Sequence, residues 1–238
     1  MLNIALIGFG KMGRTIQEIA LKKGHKTPLI IDIDQSGTLD DLSPAIDVAI
    51  EFSRPEVAVQ NISACLLAQI PIVSGTTGWL DHWDQIIDLC NQKKGAFFYA
   101  SNYSVGVNIF FAMNRWLAQK MNEQFNYDVE MTEIHHTEKL DAPSGTAITL
   151  AEDILENLDR KQEWINEPTR EENLLPIISQ RIAKVAGTHT IQYDSVVDTI
   201  TIEHKAHSRL GFAQGALTAA EWLVGKNGVF GMQDMLKF

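Results

Sequence analysis

Leu2-Asn3-Ile4-Ala5-Leu6-Ile7-Gly8-Phe9-Gly10-Lys11-Met12-Gly13-Arg14-Thr15-Ile16 runs from an apolar stretch into a glycine turn and then into a helical pattern. Residues 2–7 read as a strand, and residues 11–22 as a helix that stops before Gly24. Gly8-Phe9-Gly10-Lys11-Met12-Gly13 between them is a GxGxxG. The first glycine permits the tight turn, the second lets the backbone approach a pyrophosphate, and the third allows close helix–strand packing. The helix start itself attracts negative charge. Asp32 ends the second strand about 20 residues past the last glycine, where a carboxylate accepts hydrogen bonds from ribose hydroxyls. Gly8, Phe9, Gly10, Lys11, Met12, Gly13 and Asp32 are therefore the candidate dinucleotide-binding residues. Ile33, not arginine, follows the acid, so NADH is favoured over NADPH, with Lys11 leaving room for both.

Working outward, apolar runs at 28–33, 46–52, 71–74 and 96–100 alternate with helical patterns at 55–68 and 81–91. That alternation is the signature of a parallel sheet flanked by helices. Ligands of such sheets bind beyond the carboxyl ends of the strands. Two more loops belong there: Ser74-Gly75-Thr76-Thr77-Gly78 and Ala100-Ser101-Asn102-Tyr103-Ser104. Gly75, Thr76, Thr77, Ala100, Ser101, Asn102 and Tyr103 are expected to line the nicotinamide riboside. Each string alone is more often a plain turn; their shared position after successive strands raises them.

After Ser104 the pattern changes. A helix at 105–120 leads to an alternating strand at 127–134, a turn, and a helix at 146–158. The charged, proline-containing stretch 159–176 reads as a surface loop. Three β-rich runs at 177–186, 188–194 and 195–204 follow, then helices at 212–224 and 232–236. Strands delivered in this way form an antiparallel or mixed sheet with one face covered. The expected class is α/β: an N-terminal Rossmann-type doubly wound parallel sheet plus an α+β second domain with a mixed, open sheet.

Composition narrows the partners. The 238 residues carry a net charge of −10 with 45% hydrophobic content. Nucleic acid and anionic membrane both reward a basic surface and are not expected partners. An anionic small molecule remains compatible, because a few local cations outweigh a distant field. Cys65 and Cys90 form no disulfide framework and no zinc spacing, and read as small buried hydrophobes. Neither a signal peptide nor an apolar run of about 18 residues is found. Cytoplasmic residence is the expectation.

The segment Glu133-Ile134-His135-His136-Thr137-Glu138-Lys139-Leu140-Asp141-Ala142-Pro143-Ser144-Gly145-Thr146 carries the chemistry. Side chains alternate along a strand, so His135 and His136 face opposite ways and do not form a metal pair. Glu133 and Glu138 add no recognised ligand spacing, and no metal site is expected. Pro143-Ser144-Gly145-Thr146 reads as a helix start whose N–H groups suit a carboxylate, with ordinary capping by Ser144 as the plain alternative. Lys139 supplies a full positive charge, and the two histidines titrate near neutrality. Together they describe a cationic pocket for a small di-acid.

The paired histidine, the lysine shortly after and Asp141-Ala142-Pro143-Ser144-Gly145-Thr146 resemble the hallmark of the dihydrodipicolinate (4-hydroxy-tetrahydrodipicolinate) reductases. The resemblance extends, in order, through Phe52-Ser53-Arg54-Pro55, Gly75-Thr76-Thr77, Asn102-Tyr103-Ser104-Val105-Gly106-Val107-Asn108 and His204-Lys205-Ala206-His207-Ser208-Arg209. It implies NAD(P)H-dependent reduction of dihydrodipicolinate to tetrahydrodipicolinate in diaminopimelate and lysine biosynthesis. It also implies His135 and Lys139 as catalytic proton carriers, and His136, Gly145 and Thr146 as substrate-binding residues; the Ser144 hydroxyl joins that group from the reading of the helix start, where it adds a donor. The last helices are implied to return to the Rossmann domain, giving domains of 1–104 with 209–238, and 105–208. A homotetramer assembled through the second domain's sheet is implied as well. A sugar-type dehydrogenase on the same scaffold would carry Glu-Lys-Pro near the fifth strand, which is absent. A cofactor-sensing regulator would have no reason to keep His135, Lys139 and the Ser144 helix start together.

Overall fold

The computed structural model describes residues 1–208 and 210–238; Arg209, where the first domain is expected to resume, lies outside the described residues. The chain opens with β1 (Asn3–Ile7), α1 (Lys11–Lys22), β2 (Lys26–Ile31), β3 (Val48–Glu51), α2 (Pro55–Leu67), β4 (Ile72–Ser74), α3 (Trp83–Lys93) and β5 (Ala96–Tyr99). It continues through α4 (Val105–Met121), β6 (Asp128–His135), α5 (Gly145–Leu155), β7 (Glu163–Ile165), β8 (Leu174–Arg181), β9 (Gly187–Asp194) and β10 (Thr199–Ala206). The last elements are α6 (Leu210–Leu223), β11 (Gly228–Phe230) and α7 (Met232–Leu236). Two compact units result: Met1–Val105 with Leu210–Phe238, and Gly106–Arg209.

The first unit holds a six-stranded sheet in the order β11-β5-β4-β3-β1-β2, all of whose pairings are parallel. Its short strands are apolar on both faces because helices cover both. Ile4, Leu6, Val48, Ile50, Val73 and Phe98 turn toward Ile16 and Ala20 of α1 and the small residues of α6. Ala5, Ile7, Ala49, Ile72 and Phe97 turn the other way, toward Ile62, Cys65 and Leu66 of α2 and Ile86 and Cys90 of α3. Each large side chain so buried is worth about 1.5–3 kcal/mol. α6 belongs here because it is narrow: a Cβ at Gly215 would stand 1.7 Å from the Tyr103 carbonyl oxygen. Alanine at 215 would force the helix off its seat. Both cysteines are free and buried, and burial, with Glu51 adding to it, pushes the Cys65 thiol up to about 12.

The second unit is a mixed sheet in the order β10-β9-β6-β8-β7. β6 lies at its centre, antiparallel to β9 and parallel to β8. Val129 and Met131 of β6, Ile177 of β8 and Ile191 and Tyr193 of β9 pack against Leu117 of α4 and Ala147, Leu150 and Ile154 of α5. Glu130, Thr132 and Ile134 alternate with them and are half-exposed or exposed.

Two short strands depart from the expectation. Residues 159–176 are not wholly a surface loop, since β7 pairs with the start of β8. Lys161 is 3% exposed, its ammonium donating to the Leu174 carbonyl at 2.8 Å and pairing with Asp128 at 2.7 Å. A charged composition concealed a lysine whose partners are distant in sequence. β11 adds a sixth strand beside β5; three residues are too few to show a period. No helix among the described residues is long and apolar enough to cross a membrane.

Candidate functional site

In the first unit the chain order reverses between β1 and β3, which is where a doubly wound sheet opens a crevice. The Gly8 turn follows β1, and the Phe52 backbone follows β3. A Cβ at Gly8 would lie 2.0 Å from the Phe52 carbonyl oxygen, and one at Gly13 would lie 2.2 Å from that of Gly8. At Gly10 a Cβ would meet nothing within 4 Å. The outer glycines are locked in packing and the middle one faces open space. Gly10 is also the N-cap of α1 and offers no side-chain cap, so the amides of the first turn remain for an anion. Asp32 directly follows β2; one carboxylate oxygen takes the Phe9 N–H, and the other the Ile33 N–H at 2.7 Å. The acid thus stands beside the glycine turn. Lys11 is exposed, while Met12 packs into the core. Arg14, not singled out from the sequence, lies 4.7 Å over the Phe9 ring. These features fit a dinucleotide.

The two further loops divide. Gly75 and Ala100 are half-buried, and Thr77 and Ser101 are exposed. Asn102 is half-buried, its Oδ1 accepting from the Ser104 N–H at 2.9 Å. Thr76 and Tyr103 turn their side chains inward, which leaves their backbone to face a ligand. The Thr76 hydroxyl donates to Glu51 at 2.7 Å, and the Tyr103 hydroxyl to the Ser74 carbonyl at 2.6 Å. Their hydrogen bonds are spent on shaping the loops.

In the second unit, β6 delivers the acid and the first histidine to one face, because residues two apart on a strand point the same way. Strand register then supplies their neighbours: Glu133 pairs with Ser179 on β8 and His189 on β9, and His135 pairs with Arg181. Glu133 is 1% exposed. It accepts from the Ser179 hydroxyl at 2.8 Å and the Ser144 N–H at 3.1 Å, and meets the Arg181 guanidinium at 3.4 Å. Burial pushes its carboxyl upward, but hydrogen bonds from His135, Ser144 and Ser179 outweigh that and hold it far below the usual carboxylate range. His189 is buried, and desolvation, reinforced by His135, pushes it down to about 4. His136, just past the end of β6, is half-buried with a buried Nδ1 that has no partner among the described residues.

Lys139 follows in the loop, its ammonium 2.7 Å from the Asp141 carboxylate. Arg181 braces this loop by donating to the carbonyls of Lys139 at 3.3 Å and Asp141 at 2.6 Å. The expected cationic pocket is therefore corrected: Lys139 and Arg181 face Asp141 and Glu133, so two acids balance two fixed cations. Ser144 caps α5, its hydroxyl oxygen taking the Ala147 N–H at 3.2 Å. The N–H groups of Gly145, which is exposed, and Thr146, which is half-buried, have no acceptor within the helix.

Glu133, His135 and His189 bring ligand atoms within 4.8 Å of one another, a spacing open to a divalent cation. The carboxylate already has an arginine and two further donors, so we read the cluster as a hydrogen-bonded one. Glu133 was legible as the residue two before His135 on a strand. Arg181, His189 and the Glu51 network carry no such local signal, since strand pairing brings them in.

Models for the N-terminus and the C-terminus of dihydrodipicolinate reductase match residues 2–103 and 106–236. The 4-hydroxy-tetrahydrodipicolinate reductase of Christiangramia forsetii is 48% identical, covering 99% of this chain and 98% of that protein. The enzyme of the same name from Neisseria meningitidis serogroup B is 34% identical, covering 99% of this chain and 97% of its own. Among solved structures, dipicolinate-bound dihydrodipicolinate reductase from Paenisporosarcina sp. TG-14 superposes with a TM-score of 0.81 at 23% identity, covering 99% of both chains. A probable dehydrogenase from Thermotoga maritima shares the fold at a TM-score of 0.59 and 12% identity, covering 98% of this chain and 92% of that one. Models spanning both halves, and relatives of 48% and 34% identity matched end to end, show that the chain belongs to the dihydrodipicolinate reductase family.

Proposed function

We propose that this chain reduces 4-hydroxy-tetrahydrodipicolinate, once loss of water has given the conjugated imine dihydrodipicolinate, to tetrahydrodipicolinate in diaminopimelate and lysine biosynthesis, with NADH favoured over NADPH. The observation that carries the reading is the gathering of His135, Lys139 and the Gly145 and Thr146 amides around one strand-to-helix connection. The nicotinamide, when bound, supplies a hydride to the conjugated imine of the substrate. The chain's residues hold the di-acid and deliver the proton that completes the addition.

Lys139 can change partners at low cost. Asp141 is 61% exposed in its side chain, and exposed ion pairs contribute only about 0–1 kcal/mol. A substrate carboxylate takes the ammonium in place of Asp141, while Arg181 keeps the loop in position. The second carboxylate docks on the Gly145 and Thr146 N–H groups, where the α5 dipole favours negative charge. His136 completes the binding group with its unpartnered Nδ1. His135 donates the proton to the ring carbon left electron-rich by hydride addition, with Lys139 assisting. Asp32 followed by Ile33 supports NADH; Lys11 and Arg14 leave NADPH usable. A homotetramer formed through the half-exposed face of the second sheet, in the cytoplasm, completes the reading.

The test is steady-state kinetics with freshly generated substrate and either cofactor. Cofactor oxidation that requires the substrate, with the higher kcat/KM for NADH, is expected. Oxidation indifferent to the substrate, or none with either cofactor, would overturn it.

A further inference from the structure

We infer that Glu133 is a positioning residue that holds His135 as its Nε2–H tautomer, leaving Nδ1 as the nitrogen that exchanges protons with the substrate. This deepens the proposed function and rests on His135 being the proton donor.

A buried carboxylate faces one ring nitrogen. The Glu133 carboxylate lies 3.4 Å from His135 Nε2, and an ionised carboxylate can only accept. The opposite tautomer would set a lone pair against that charge in a sealed environment. His189 Nε2 lies 3.4 Å from the same nitrogen. It also lies 3.7 Å from the Glu133 carboxylate and 3.2 Å from Ser144 Oγ. The carboxylate approaches His135 more closely, which sets the hydrogen on His135 Nε2. His189 Nδ1 is buried without a partner among the described residues, a cost that either tautomer of His189 incurs.

The other edge of the His135 ring is kept clear. A Cβ at Gly187 would lie 2.9 Å from Cε1 and 3.3 Å from Nδ1, so any side chain there would cover the second nitrogen. No described residue hydrogen-bonds His135 Nδ1. The remaining charged neighbours do not compete: Arg181 is directed at the far oxygen of Glu133, and Lys139 at Asp141. An acid that fixes the tautomer of a proton-handling histidine acts on the chemical step, not on binding.

Nitrogen-15 NMR of the full chain, with His135 assigned by its loss in His135→Gln, reads the tautomer directly. Wild type is expected as Nε2–H, and Glu133→Gln as a mixture. Glu133→Gln should lower kcat by roughly 10-fold or more while KM stays within about twofold, and Glu133→Asp should recover part of the loss. An Nδ1–H signal in wild type would overturn the inference, as would a Glu133→Gln enzyme with unchanged kcat. If Glu133→Gln fails to fold, the wild-type spectrum alone decides. Should His135→Gln keep full turnover, the proposed function loses its proton donor, an outcome the spectrum of Glu133→Gln does not affect.

Discussion

Glu51 and Glu133 occupy similar places in the two units. Each lies at or near the end of a strand, and they are 0% and 1% exposed. Their company differs. Glu51 is surrounded by neutral donors: the Ser53 N–H at 3.0 Å, the Ser74 and Thr76 hydroxyls at 2.6 and 2.7 Å, and the Ser53 hydroxyl. Those donors come from the end of β4 and from the connections after β3 and β4, so one carboxyl group ties two loops into one shape. Glu133 has two neutral donors, the Ser179 hydroxyl and the Ser144 N–H, but adds groups that are charged or can exchange protons: His135, His189 and Arg181. The same buried acid builds a scaffold where its neighbours cannot titrate and, in the proposed reaction, supports proton transfer where they can.

The strongest way to break this comparison is on turnover. His135→Gln and Lys139→Met should each lower kcat by about 10²-fold or more, as expected for loss of a general acid or its assistant. Steady-state kinetics with NADH measures it, and near-wild-type kcat in both variants would discard the assignment. The scaffold side of the comparison predicts a loss of stability instead. Glu51→Ala strands four donors at once; the hydroxyls recover partly by rotating, leaving a cost on the order of 3 kcal/mol. Urea unfolding reads it, and a cost under about 1 kcal/mol would show that the network is dispensable.

A smaller effect separates the two centres by pH. Desolvation, reinforced by His135, pushes the His189 imidazole down to about 4 from its ordinary 6.5. Stability is therefore complete above that higher value and is lost as pH falls toward 4, because the unfolded chain takes up a proton the folded one refuses. By pH 5 the loss is about 2 kcal/mol. His189→Gln should flatten that dependence between pH 7 and pH 5, and an unchanged slope would place the burden on another group.

The contrast also explains what was legible. The Gly8–Gly13 turn, Asp32 and the alternation of strands and helices are local patterns, so the first unit's fold could be read from neighbouring residues. His135, Lys139 and the Ser144 helix start lie within a dozen residues, and were equally plain. Their counter-charges were visible as Glu133 and Asp141, but not as partners. Thr76 and Tyr103 looked like ligand-facing loop residues because nothing near them in sequence shows that Glu51 and the Ser74 carbonyl claim their hydroxyls. Lys161 was hidden for the same reason, its acid being Asp128 in another strand. Where a side chain's partner is distant in sequence, composition points to the wrong surroundings.

Ser144 sharpens the comparison with the smallest effect, because the reading of the helix start offers its hydroxyl either to the substrate or to the cap, and the structure shows the cap. Its hydroxyl oxygen caps α5 through Ala147, and its own N–H belongs to Glu133. Capping and ligand binding make different forecasts for Ser144→Ala. Loss of a cap costs about 1 kcal/mol of stability, and the Gly145 and Thr146 N–H groups would still receive the carboxylate, so KM should rise less than about threefold. A hydroxyl that itself held the substrate would raise KM about 10-fold, since a hydrogen bond to a charged group is worth about 1.5–3 kcal/mol. Urea unfolding together with KM for the di-acid distinguishes the two, and a large KM change with unaltered stability would return Ser144 to the binding group.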